Sequence, residues 1–145
     1  MLIDLENQTS LPFELEILEK IAASLTARQI ELIITDNKTM QSLNQIHRGK
    51  DAPTDVLSFP LENAFAGMPL GSIVISEEFV KDKSKLYGHT IQDELNLLFI
   101  HGLLHLLGFD HECDQGEMRA KEKELIEVFG LPPSLIVRTD AQEAK

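Results

Sequence analysis

QIELIITDNKTMQSLNQIHRG, residues 29–49, is the stretch that sets the fold class. Gln29 to Thr35 is rich in β-branched residues, which suit a pleated, half-buried surface, so a strand is expected there. Asp36 or Asn37 then offers a side-chain oxygen to cap a helix carrying Met40, Leu43 and Ile46, and Gly49 ends it. Upstream, Leu2 to Glu6 reads as a second short strand, and Pro12 opens an amphipathic helix with Leu15, Leu18, Ala22 and Leu25 at helical spacing. The order strand–helix–strand–helix points to a layered mixed architecture, an α/β (α+β) fold.

Downstream, Val56 to Phe59 and Ser72 to Ser76 read as two strands flanking a loop with Pro60, Gly67, Pro69 and Gly71. That is a flexible connection, not a tight hairpin. Ser76 caps the next helix, whose first-turn Glu77 and Glu78 suit the helix dipole. Thr90-Ile91-Gln92-Asp93 resembles a capping box and starts an apolar helix running to about Gly108. A last helix is expected from Asp114 to Phe129, with Met118, Leu125 and Val128 among its charges, and the polar tail from about Thr139 is expected to fray.

Composition bounds the function. The 145 residues are 43% apolar and 26% charged, which is the make-up of one globular domain spanning 1–145. One cysteine excludes an internal disulfide framework and any zinc module built on several thiolates. Thirteen Lys and Arg against 24 Asp and Glu give a net charge of −11, which argues against indiscriminate phosphate-backbone binding while leaving room for one local basic groove. The start of the chain has no basic region followed by an apolar run. Leu95 to Phe109 is interrupted by histidines and glycines and falls short of the roughly 20 apolar residues of a spanning helix. A soluble, cytoplasmic protein is expected.

The chemistry concentrates in HGLLHLLGFDH, residues 101–111. Positions i and i+4 of a helix share a face, so His101 and His105 can present two imidazoles to one point. Gly108 allows a left-handed reversal, after which His111 can return to the same point. A lone histidine in an apolar helix is usually a hydrogen-bonded core residue. Three at ligand spacing, in a segment where unpaired imidazoles would be costly to bury, instead make a tripod for a transition metal. Cys113 is a poor fourth ligand, because two residues after His111 it cannot easily complete a tetrahedron. An open position, and with it a metal-bound water made acidic at neutral pH, is the expectation.

The segment also fits the ligand spacing of the metzincin peptidases, but their general-base glutamate directly follows the first histidine, and here that place is Gly102. Glu94 lies on the same stripe about 10 Å upstream, too far to touch that water, and reads as a surface or supporting carboxylate. In RGKDAPTDVLSFP, residues 48–60, Arg48 and Lys50 sit on a glycine-containing loop before a strand. Arg48 carries a planar fork of donors suited to phosphate. By itself a loop arginine is more often a solvated charge. A metal tripod with an arginine clamp would nonetheless suit phosphodiester cleavage. His89 reads as a helix-start or cleft residue, His47 as a helix-end residue without chemistry, and Lys81, Lys83 and Lys85 as a solvated helix face more than an RNA track.

RGKDAPTDVLSFP (48–60), LGSIVIS (70–76), YGHT (87–90) and HGLLHLLGFDH (101–111) together resemble the YbeY family of bacterial metal-dependent endoribonucleases, also called rRNA maturation factors. The resemblance implies a small mixed β-sheet with helices packed around it, related to the zincins. It implies a site for one Zn2+ per chain, or another divalent transition metal, at His101, His105 and His111. Arg48 becomes an RNA-contacting or catalytic residue. Single-strand-selective RNA cleavage, maturation of the 16S rRNA 3′ end, ribosome quality control and association with the small ribosomal subunit are implied with it. One departure stands out: the family usually reads L-G-D-I where this chain has Leu70-Gly71-Ser72-Ile73, so a role of that acid is lost here or passed to a neighbour such as Asp55. Two other readings remain open at this point: a zincin-like hydrolase of another substrate, such as a peptidase, and a non-enzymatic ribosome-assembly factor with a structural metal.

Overall fold

The structure, a computed structural model, describes residues 2–61, 68–110 and 112–132. Among them, strands β1 (Ile3–Asn7), β2 (Ile30–Thr35), β3 (Val56–Pro60) and β4 (Gly71–Ser76) form one sheet in the order β1-β2-β4-β3. The first three in that order are parallel, and β3 runs antiparallel to β4 at the edge. Helices α1 (Leu15–Leu25), α2 (Asn37–Arg48), α3 (Glu77–Tyr87), α4 (Ile91–Leu106) and α5 (Glu117–Phe129) cover the sheet. This is the mixed α+β architecture expected of the sequence.

Alternation along β4 sorts the helices into two unequal layers. Ile73 and Ile75 face a large core shared with Leu18 and Ile21 of α1, Val80 of α3, Leu95, Phe99 and Leu103 of α4, and Met118 of α5. Val74, on the opposite face, meets only Leu57 and Met40, with Ile33, Leu43 and Phe59 around them. The first layer is thick, with α4 at its centre and apolar nearly all round. The second is α2 alone.

The expected caps form. Asp36 accepts from the Thr39 amide at 2.8 Å, Ser76 from Phe79 and Thr90 from Asp93. Three expectations need correction. The first helix begins at Leu15 and not at Pro12, because Leu11 is buried and the Glu14 amide donates to the Gln92 side chain, so tertiary contacts hold this stretch extended. The last helix begins at Glu117, because the Asp114 carboxylate accepts from the Gly116 and Met118 amides ahead of it. Ile46 is 75% exposed and Val128 67% exposed. Six residues past Met40 is about 120° round the helix, and Asn44 takes the buried place, donating to the Ala52 carbonyl. The loop with Gly67 lies partly, and the tail from Thr139 wholly, outside the described residues. No helix among those described is long and apolar enough to cross a membrane.

Candidate functional site

The last turns of α4 carry His101 and His105, whose Nε2 atoms lie 3.2 Å apart with the rings edge to face at 82°. Two imidazole nitrogens bound to a tetrahedral zinc at about 2.05 Å would be about 3.3 Å apart. The observed separation is close to that value, and it is also the length of a hydrogen bond between the two rings. Beyond α4 the Phe109 amide closes on the Leu104 carbonyl and Gly108 adopts φ 99°, a left-handed reversal that sends the chain back along the helix. His111 lies outside the described residues, and among those described no third His, Cys, Asp or Glu joins the pair at metal-binding range.

Gly102 explains why no glutamate follows the first histidine. A Cβ built on it would lie 2.9 Å from Ile73 Cγ2, 3.2 Å from Ser58 Oγ and 3.3 Å from Val56 Cγ2. The Ser58 hydroxyl also donates to the Gly102 carbonyl at 3.0 Å. Position 102 thus faces the sheet, and the close approach of α4 to β3 requires a residue without a side chain there.

A cavity of about 730 Å³ opens beside the histidines along β3. Its lining includes His101 and His105 of α4, Phe109 and Asp110 just beyond it, His47 and Arg48 of α2, and Phe59 of β3. Arg48 is the last residue of α2, exposed, and no ion pair holds it among the described residues. Residues of the two segments that the sequence singles out, 48–60 and 101–111, thus line one groove although the forty residues 61–100 separate them in the chain.

The sequence model described as Endoribonuclease YbeY matches residues 6–130. An endoribonuclease YbeY from Sulfurovum sp. (strain NBC37-1) is 64% identical over 144 residues, covering 96% of this chain and 98% of its own. The protein of that name from Sulfurimonas denitrificans is 56% identical over 140 residues, covering 96% and 99%.

The chain belongs to the YbeY endoribonuclease family.

The solution structure of TM1509 from Thermotoga maritima superposes with a TM-score of 0.59 at 28% identity, covering 88% of each chain. Endoribonuclease is therefore the chain's class of activity, and RNA the substrate that class implies.

Several residues are recast against this YbeY fold. Ser72, where an acid is usual, donates to Glu31 at 2.7 Å on the α2 face of the sheet, so its change does not touch the histidines on the other face. Asp55 lines the cavity but is held by Lys83 at 2.9 Å and by the Val56 amide. Lys81 pairs with Glu77 at 2.6 Å, so two of the three α3 lysines are matched to carboxylates. Glu94 is fully buried and not a surface residue; its carboxylate meets His89 Nε2 at 2.7 Å, which locks the start of α4. Cys113 is exposed and absent from the cavity wall, and a hydrogen bond and charge from Asp110 raise its thiol pKa above the ordinary value.

His47, which carried no chemistry in the sequence, stands in the groove wall with its ring 4.7 Å from Phe59 and tilted by 55°. Its place directly before Arg48 was the available signal. Glu122 was missed altogether: it is buried at the centre of α5, with Oε1 3.7 Å from His101 Nδ1.

Proposed function

We propose that this family member cuts single-stranded RNA with a divalent transition metal, zinc by ligand type, held at His101, His105 and His111. The observation that carries the reading is that two imidazoles with Nε2 atoms 3.2 Å apart and an arginine with no ion pair among the described residues line one groove. When bound, such a metal supplies a Lewis acid and a water of lowered pKa. Neutral imidazoles suit that metal, and α4 holds two of them rigidly because it is buried on nearly every side. Arg48 lines the same groove, where its guanidinium can take two oxygens of a phosphate and offset the charge that develops during cleavage. The rings of His47 and Phe59 beside it offer faces to a base splayed out of a stack, which a duplex does not supply. Gly102 speaks against peptide hydrolysis, since the glutamate that reaction would need has no room.

Within the cell, the family resemblance supports a cytoplasmic role in rRNA maturation at the 16S 3′ end and in ribosome quality control, with the small ribosomal subunit as partner and residues 1–145 acting as one domain.

The test is purified protein with its metal content measured. His105→Ala loses stoichiometric metal and loses cleavage of single-stranded RNA while its far-UV spectrum stays native, and duplex RNA of the same sequence is cut far more slowly by the unaltered protein. Undiminished cleavage by His105→Ala, or equal cleavage of both RNAs, overturns the corresponding half of the reading.

A further inference from the structure

Helix α5 buries Met118, Glu122 and Leu125, a stripe at helical spacing in which a carboxylate occupies a place suited to a leucine. Glu122 is 1% exposed, and neither of its oxygens has a hydrogen-bond partner among the described residues. Burying an ionised carboxylate in this way is costly unless a cation or a strong donor compensates it. The group facing it is the ring of His101: Glu122 Oε1 lies 3.7 Å from Nδ1, while Nε2 of the same ring points to His105.

We infer that Glu122 is the positioning residue of the metal centre: its carboxylate takes the Nδ1–H of His101 and so fixes the ring in the tautomer whose Nε2 is free to ligate. The inference rests on the metal reading above and names what orients one of its ligands. With a metal held at Nε2, the His101 Nδ1–H would be a stronger donor, and the Glu122 carboxylate, 3.7 Å away, is the group placed to accept it. The carboxylate in return makes the imidazole a better ligand. This gives α5, which contributes no residue to the groove wall among those described, a part in the chemistry. It also accounts for a buried charge that packing alone would replace with an apolar side chain.

The experiment is a competition titration of zinc against a chromophoric chelator, with the thermal stability of each metal-free protein measured alongside. Glu122→Gln and Glu122→Met are expected to weaken zinc binding about 10- to 100-fold. The metal-free proteins keep or raise their melting temperature, because a buried carboxylate without a hydrogen-bond partner among the described residues has gone. Zinc affinity within about threefold of the original in both variants overturns the inference, since support of this kind is worth more than that. A readout on the unaltered protein does not depend on the variants folding: in ¹⁵N-histidine spectra of the zinc-loaded protein, His101 carries its proton on Nδ1. A spectrum with that nitrogen unprotonated overturns the assignment. An unaltered protein that takes up no zinc, cobalt or nickel brings down the metal reading itself, so the two failures are told apart.

Discussion

The two walls of the groove are built to opposite standards. The histidine wall ends a helix enclosed by the sheet, α1, α3 and α5, and its neighbours Leu98, Phe99 and Leu103 are fully buried. The arginine wall is the last turn of α2, which rests on a cluster centred on Met40, Leu57 and Val74 and leaves Ile46, His47 and Arg48 in solvent. The difference suits the role proposed for each wall. On the proposed reading, ligands of a small ion must be held to within a few tenths of an ångström, which a helix enclosed by packing favours. A clamp for a mobile RNA phosphate needs reach, which a long side chain at a solvated helix end provides.

Substitutions can break or sharpen this contrast. The largest effect is expected from Phe99→Ala, at about 3–5 kcal/mol of unfolding free energy for emptying a fully buried aromatic site. Ile46→Ala on the thin layer should stay within about 0.5 kcal/mol, and comparable losses in urea titrations of the two would refute the asymmetry. Next comes Gly102→Ala, expected to destabilise by about 1–3 kcal/mol because its methyl group meets Ile73, Ser58 and Val56 at once. A variant as stable as the original would mean that α4 can lift from β3, and the account of the missing glutamate would fail. The smallest effect on stability is expected from Arg48→Ala, within about 0.5 kcal/mol and with unchanged metal content, while cleavage falls about 100-fold through loss of a charge-stabilising donor. Equal cleavage by this variant would remove Arg48 from the reaction.

Much of this was legible in the chain because it is local. The Asp36, Ser76 and Thr90 caps depend on side chains within three residues of the amides they bind, so helix starts could be read where such residues occur. The starts that were misread, at Leu15 and Glu117, are those where a distant group or a turn holds the amides: Gln92 for Glu14, and the Asp114 loop ahead of α5. The same division runs through the site. His101 and His105 were readable from a spacing of four on one helix. For Glu94 the sequence leaves a surface and a supporting carboxylate both open, and only the enclosure of α4, with His89 folded over its start, decides for the buried one.

By itself, then, the amino-acid order determined the periodicities, the caps, the imidazole pair and the reversal at Gly108, since each is settled by atoms a few bonds apart along the backbone. Tertiary structure alone decided that β3 lies at the sheet edge beside α4, that residue 102 has no space for a side chain, that His47 and Arg48 line one groove with the histidines, and that Glu122 is buried beside His101. These are contacts between segments far apart in sequence, fixed by how layers of unequal thickness close over the two faces of one sheet, and no local pattern encodes them.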